Sequence, residues 1–147
     1  MSLNDTLMQD IKSAMKAKDK EALTTIRSLK AAVMNYKIKV GHDLTSDDEL
    51  TVLSSALKQR KESLEEFTKA GRDDLIAQTK KEMQQIEKYM PKQMSKEELE
   101  QTVEETIKEV GASSKKDFSK VMQALMPKIK GKADGKAASS IVGKKLN

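Results

Sequence analysis

The sequence predicts an all-α protein with a four-helix N-terminal domain and a small three-helix C-terminal domain. Apolar residues recur at spacings of three, four and seven along nearly the whole chain, which is the pattern of amphipathic helices. Gly41, Gly71, Pro91, Gly111 and Pro127 divide that pattern into helix-sized segments. No segment shows the alternation of apolar and polar residues that a strand requires, and no internal repeat is found. These observations exclude a sheet-based fold.

The first two helices are predicted from capping signals and apolar faces. Ser2, with Asp5 three residues later, is expected to begin a helix that extends to about Lys18. A second helix is expected from Asp19 to about Val40. The residues predicted to face the core are Leu3, Leu7, Met8, Ile11 and Met15 in the first helix, and Ala22, Ile26, Leu29, Val33 and Tyr36 in the second.

The third and fourth helices complete the predicted N-terminal domain. Ser46 and Glu49 have the spacing of a capping box, and Asp73 is expected to cap the fourth helix. Arg60 interrupts the apolar stripe of the third helix, so we expect it to have a carboxylate or carbonyl partner. The predicted core residues are Leu50, Leu53, Leu57, Leu64 and Phe67, followed by Leu75, Ile76, Met83, Ile86 and Met90.

A domain boundary is predicted at Pro91, because proline disfavours a helical conformation at the residue before it. We expect a helical N-terminal domain over residues 1–90, a hinge over 91–95 and a three-helix domain over 96–147. Residues 1–90 contain 16 basic and 15 acidic residues, whereas the remainder contains 12 and 8. The shift in charge therefore lies close to the predicted boundary.

The C-terminal domain is predicted to contain three short helices. Ser95 and Glu98 have the spacing of a capping box, which predicts the start of an acidic helix. A sixth helix is expected over about 115–126 and a loop over 127–133, after which Asp134 caps the last helix. The predicted core residues are Leu99, Val103, Ile107, Val110, Phe118, Val121, Met122, Leu125, Ala137, Ala138, Ile141, Val142 and Leu146.

The strongest functional signal is the basic segment 111–147. It contains nine lysines and two acidic residues, a net charge of +7, whereas the whole chain carries +5. This asymmetry predicts a polyanionic partner, for which we favour RNA. The four aromatic residues have helix-core spacing, so recognition would depend on shape and phosphates rather than base stacking. The candidate nucleic-acid-binding residues are Lys115, Lys116, Lys128, Lys130, Lys132, Lys136, Lys144 and Lys145.

Other kinds of site have little support. The chain has no cysteine, which excludes disulfides, thiolate metal sites and cysteine nucleophiles. His42 lies in a turn without a catalytic partner motif, and the acidic residues at 43–49 lack EF-hand spacing. Residues 131–136 lack the Walker spacing, although an RNA phosphate could bind at the start of the last helix if Asp134 did not compete. We expect no catalytic residue, no cofactor and no metal.

The compartment is predicted from what the sequence lacks. The N-terminus has no basic and apolar leader, and no apolar run approaches 18 residues. We therefore expect neither a signal peptide nor a transmembrane helix. Together with the lack of cysteine, this predicts a cytoplasmic protein with no membrane partner and no DNA partner.

Distinctive motifs lie at 27–33, 58–63, 67–75, 82–86, 89–91, 93, 121–122, 125–127 and 131–135. Together they resemble the GatB/YqeY family, and the resemblance covers nearly the whole chain as a free-standing YqeY-like protein. It implies a helical first domain and a three-helix tail. It also implies relation to the C-terminal part of the B subunit of the tRNA-dependent amidotransferase, where such modules are similar to tRNA-holding elements. The family residues that recur here are Arg27, Arg60, Arg72, Asp73 and Tyr89. Two roles are open for them, support of the fold and a recognition surface.

Three functions are compatible with these observations. The leading hypothesis is a non-catalytic tRNA-binding or tRNA-associated module, in which replacing Lys128, Lys130 and Lys132 by glutamate abolishes binding without unfolding. The second is a protein-interaction adaptor that docks to a synthetase or amidotransferase through the acidic helix and the hinge. The third is an amidotransferase-type carbon–nitrogen ligase, for which no ATP site and no ammonia source are visible.

Overall fold

The computed structural model describes residues 1–146, and over that range the chain is all-α, as predicted. Contacts within the chain divide it into two compact units, Met1–Met90 and a second that starts at Pro91. No helix in the described range is both long and apolar enough to cross a bilayer. The helices are α1 (Leu3–Ala17), α2 (Lys20–Val40), α3 (Ser46–Ala70), α4 (Asp73–Glu87), α5 (Lys96–Val110), α6 (Phe118–Ile129) and α7 (Gly135–Lys145), with a 3₁₀ turn at Lys115–Asp117.

The first unit is built around one apolar core to which all four of its helices contribute. Leu7, Leu29, Leu53 and Ile86, one from each helix, are almost completely excluded from solvent. Each such side chain contributes about 1.5 to 3 kcal/mol through burial. The main helix pairs are α1 with α2 and α3 with α4, and α2 also packs against α3 and α4. The core therefore links all four helices.

Two methionines of α1 were predicted to face the core and do not. Met8 is 41% exposed and Met15 is 55% exposed, whereas Ala14 is buried in their place. The reason is geometric: α1 packs mainly against α2 and buries only a narrow stripe through Leu7 and Ala14. Met8 lies about 100° around the helix from Leu7 and points away from that contact.

The caps of the third and fourth helices also differ from the prediction. Thr45 and Asp48, not Ser46 and Glu49, form the capping box of α3, with reciprocal bonds of 3.1 and 3.0 Å. Glu49 instead accepts the backbone N–H of Leu3 at 2.6 Å. Asp73 is the first residue of α4 rather than its cap, and the capping position has no side-chain hydrogen bond. Two overlapping pairs one residue apart have the same sequence signature, so tertiary contacts select between them.

The second unit packs α5, α6 and α7 around Val103, Val121, Leu125 and Val142, which are fully buried. The predicted loop at 127–133 begins too early, because α6 continues through Pro127 to Ile129. A proline inside a helix removes a backbone hydrogen bond and crowds the carbonyl four residues earlier, and burial of Ile129 offsets part of that cost. Ala137 was predicted to lie in the core but is exposed. Residues 115–117 form a 3₁₀ turn instead of the first turn of the predicted sixth helix.

Hydrogen bonds hold two residues of the predicted hinge, Gln93 and Met94, to the α6–α7 turn. The side chain of Gln93 donates to the carbonyl of Gly131 at 2.7 Å and to that of Pro91 at 3.1 Å. The backbone N–H of Met94 donates to the carbonyl of Lys132 at 2.8 Å. Gly131 is buried with a φ of 74°, a left-handed conformation that favours glycine. Residues 93 and 94 are thus part of the second unit's fold.

Candidate nucleic-acid interface

All eight candidate lysines belong to the second unit, on three of its elements. The 3₁₀ turn carries Lys115 and Lys116, the end of α6 and the turn after it carry Lys128, Lys130 and Lys132, and α7 carries Lys136, Lys144 and Lys145. These elements follow each other along the chain and surround one small core. The segment's charge is therefore displayed on a folded unit.

Two of the candidates are engaged by the acidic helix α5. The ammonium of Lys128 lies 2.6 Å from a carboxylate oxygen of Glu109 and donates to the hydroxyl of Thr106 at 3.0 Å. Lys145 lies 2.6 Å from a carboxylate oxygen of Glu104. The hydrogen bond and charge of Lys145 hold the pKa of the Glu104 carboxyl below its usual value, and the same pairing raises the pKa of Lys145. These two lysines fasten α6 and α7 to α5.

The other six candidates differ from these two in their exposure, and among them only Lys130 is half-buried. Five are exposed and form no ion pair with any of residues 1–146. Ammonium groups of this kind are hydrated point charges suited to phosphate contacts. The five are Lys115, Lys116, Lys132, Lys136 and Lys144.

The α6–α7 turn gives two of these lysines a defined backbone setting. Lys132 follows the left-handed Gly131, and its carbonyl accepts the bond from the Met94 N–H. Lys136 lies in the first turn of α7, where its own N–H donates to the carboxylate of Asp134 at 3.2 Å. That carboxylate competes for the backbone donors at the start of α7, so a phosphate here would contact lysine side chains instead. We call Lys132 and Lys136 the basic turn.

The structure changes the choice of test residues. Replacing Lys128 by glutamate would set a new carboxylate against Glu109 and remove the donor to the buried Thr106 hydroxyl, which would keep only its own bond to the Thr102 carbonyl. A triple variant that includes position 128 therefore combines the loss of positive charge with the loss of polar contacts between α5 and α6. That the triple variant keeps its fold stays a prediction, and variants that leave Lys128 in place give a cleaner test of the lysine charge.

The recurring family residues lie in the first unit, and three of them, Arg60, Arg72 and Tyr89, contact other side chains of that unit. Arg60 donates to the hydroxyl of Ser28 at 3.1 Å and lies 3.8 Å from Glu82, which confirms the expected carboxylate partner. Arg72 contacts the carboxylate of Asp74 at 3.3 Å through two nitrogens.

No group of three or more histidine or acidic side chains in the described range has a metal-binding arrangement. Sequence reasoning missed the bond from Gln93 to the Gly131 carbonyl, although position 93 is among those that match the family motifs.

Tyr89 is expected to titrate well above its usual value near 10. Burial and the hydrogen bond that its hydroxyl donates to Asp10 both raise its pKa. Since the folded-state pKa lies above the unfolded value, this stabilisation is complete below about pH 10 and is lost as the pH rises further. Ultraviolet titration of the Tyr36→Phe variant isolates Tyr89, and Asp10→Asn should lower the midpoint. A Tyr89 midpoint at 10 in both backgrounds would contradict this contact.

Comparisons with known proteins identify related sequences. A family model described as Yqey-like protein matches residues 4–146. Proteins named Altered inheritance of mitochondria protein 41, mitochondrial, are 43% identical over 89 residues in Eremothecium gossypii and 40% identical over 85 residues in Saccharomyces cerevisiae. Each alignment covers 57% of this chain and 46% of the relative, so the chain matches about half the length of these relatives. The protein of that name in Pyrenophora tritici-repentis is 29% identical over 95% of this chain and 76% of its own length.

The cytoplasmic prediction is wrong in the light of these relatives, whose names place them in mitochondria. The prediction rested partly on the absence of cysteine. A chain without cysteine is compatible with any compartment, reducing or oxidising, so this feature never selected the cytoplasm.

Proposed function

The chain belongs to the YqeY-like family, and from this premise we propose that it is a non-catalytic tRNA-binding or tRNA-associated protein. In this proposal the second unit supplies the RNA contact. The resemblance seen in the sequence is thereby confirmed at the level of the family, while tRNA as the partner is the proposed step.

The observation that carries the proposal is the surplus of exposed lysines on the second unit. Helix α5 neutralises Lys128 and Lys145, and the basic turn keeps its charge. Each lysine that neutralises a phosphate releases condensed counterions, which favours binding at low salt. Lysines without nearby exposed aromatics suit the backbone of a folded RNA better than unstacked bases.

We further propose that the two units act as modules, with residues 1–90 as the first and residues 96–147 as the RNA-contacting tail. The first unit is nearly neutral, with 16 basic and 15 acidic residues. Its charge gives no reason to expect a phosphate contact. The acidic helix α5 is a weaker candidate for a docking surface than we expected, because Glu104 and Glu109 are occupied by lysines of the same unit.

Replacing Lys132 and Lys136 together by glutamate is expected to weaken tRNA binding about tenfold or more at low salt. The slope of log affinity against log salt concentration should fall by about 2, since two phosphate contacts are lost. The fold should be retained, because both side chains are exposed and a glutamate at position 136 complements the N-terminal dipole of α7. Fluorescence anisotropy with deacylated tRNA(Gln), tRNA(Asn) and an unrelated tRNA over about 50 to 200 mM salt measures this.

The matched control is Lys12→Glu with Lys80→Glu, which makes the same charge change at two exposed helical lysines of the first unit. It should leave both the affinity and the salt slope close to those of the parent chain. Equal losses in the two double variants would mean that net charge, not the basic turn, determines binding. Failure of the parent chain to bind any tRNA at low salt would remove the proposal.

A further inference from the structure

The first unit exposes an apolar ridge on α2 that its own core does not use. Met34 is 52% exposed and Ile38 is 79% exposed, although both lie within a helix whose opposite side is buried. With Lys30 they are spaced four residues apart, so the three side chains form one row along the helix surface. Sequence patterning missed this ridge because Met34 and Ile38 fall outside the buried stripe of α2.

The ridge borders a groove of about 600 Å³. Val33 and Leu44 supply further apolar surface, and Asn4 from the start of α1 also contributes to the lining. A cleft of this size with mostly apolar walls and a few polar groups is typical of a binding site. We call it the α2 groove.

The acidic side chains that line the α2 groove have partners within the chain, whereas one of its lysines forms no ion pair within residues 1–146. Its two carboxylates already have partners, since Asp43 pairs with Lys37 at 2.9 Å and Glu49 accepts the Leu3 N–H at 2.6 Å. Lys30, at one end of the ridge, forms no ion pair with the described residues. An occupant would therefore meet an available cation and no available carboxylate, which favours an acidic side chain beside Lys30.

A polar group of the groove is also unsatisfied. The carbonyl oxygen of the Asn4 side chain is buried and accepts no hydrogen bond within the described residues. Its amide nitrogen contacts only the sulfur of Met8, at 3.8 Å, and thioether sulfur is a weak acceptor. Because this oxygen is inaccessible to solvent, an occupant of the groove has no direct contact with it unless the Asn4 side chain rotates.

We propose that the α2 groove docks an acidic amphipathic helix of a protein partner. Two bulky apolar residues one turn apart on that helix would pack beside Met34 and Ile38, as ridges fit into grooves between helices. A carboxylate on the same helix would face Lys30. Flexible methionine beside aliphatic side chains suits such helix-in-groove recognition.

The test selects binders from a displayed library of random peptides of about 16 residues, roughly four helical turns. The full-length chain serves as target, and the Met34→Gln/Ile38→Gln double variant removes peptides that bind elsewhere. Enriched peptides should repeat apolar residues every three or four positions and carry net negative charge. They should bind the parent chain at least tenfold more tightly than the double variant in fluorescence anisotropy.

Met15→Gln is the matched control, since it removes an exposed methionine that does not line the groove. It should leave peptide affinity unchanged, whereas Lys30→Glu should weaken it several-fold. Both groove substitutions are at exposed helical positions, and circular dichroism checks that the fold is retained. Absence of enrichment, enrichment of basic or non-periodic peptides, or equal affinity for the double variant would overturn the proposal. So would a dimer of the parent chain that dissociates in the double variant, because a second copy would then occupy the groove.

Discussion

Replacing Leu125 by alanine is expected to unfold the second unit while the first unit keeps its structure. Leu125 is fully buried at the centre of a core shared by α5, α6 and α7. A buried leucine-to-alanine change costs about 2 to 5 kcal/mol, through lost transfer energy and the cavity that remains. The second unit, which begins at Pro91, is small, and the core of a unit of this size supplies roughly 3 to 5 kcal/mol of stability. The expected loss is therefore comparable with the whole stability of the unit.

Amide NMR spectra give a direct measurement of this effect. Signals from residues 96–146 should collapse into the narrow range of an unfolded chain, while signals from residues 1–90 should stay dispersed. Met126→Ala, at the next position of α6, is the control, because Met126 is 42% exposed. It should change stability by less than about 1 kcal/mol. A well-dispersed second unit in Leu125→Ala would show that its core is more tolerant than its size suggests.

Replacing Gly131 by valine is expected to destabilise the second unit by about 1 to 3 kcal/mol. Gly131 adopts a φ of 74°, where a β-branched side chain clashes with its own backbone. The strain would also displace the carbonyl that accepts from Gln93 and the neighbouring carbonyl of Lys132 that accepts from Met94. The predicted loss of stability therefore has two causes, strain at position 131 and weaker hydrogen bonds from Gln93 and Met94 of the hinge.

Thermal unfolding measures the total loss of stability, and hydrogen exchange of the Met94 amide measures the weakening of its bond to the Lys132 carbonyl. Gly131→Asn should be milder in both measurements, since asparagine tolerates the left-handed region better than valine does. Gly143→Ala should instead raise stability, because Gly143 lies within α7 and an added Cβ meets no atom within 4 Å. Identical effects of valine and asparagine at position 131 would mean that φ is not the cause.

The helical class and most helix boundaries were predictable because glycines, prolines and polar caps mark them directly. Gly41, Gly71 and Gly111 each end a helix in the left-handed conformation. Methionine is less informative, since it fills cores and exposed sites alike, and Met8 and Met15 were assigned to the wrong side for that reason. Local pattern could not reveal which neighbour a helix face meets.

The candidate site was predictable in composition but not in arrangement. The sequence identified a basic segment, yet gave no sign that Lys128 and Lys145 reach across to Glu109 and Glu104 of the preceding helix. Those partners are 19 and 41 residues away along the chain. Only the folded unit distinguishes lysines that hold helices together from lysines such as Lys132 and Lys136 that remain available.

The attachment of Gln93 and Met94 to the α6–α7 turn has a consequence for transplanting the second unit into another protein. A recombinant tail that begins at the first residue of α5 would leave the carbonyls of Gly131 and Lys132 without their donors. A tail that begins before Pro91 would carry those donors with it. Gene fusions made upstream of Pro91 should therefore yield a folded appendage, whereas fusions at Lys96 should yield one that is prone to proteolysis.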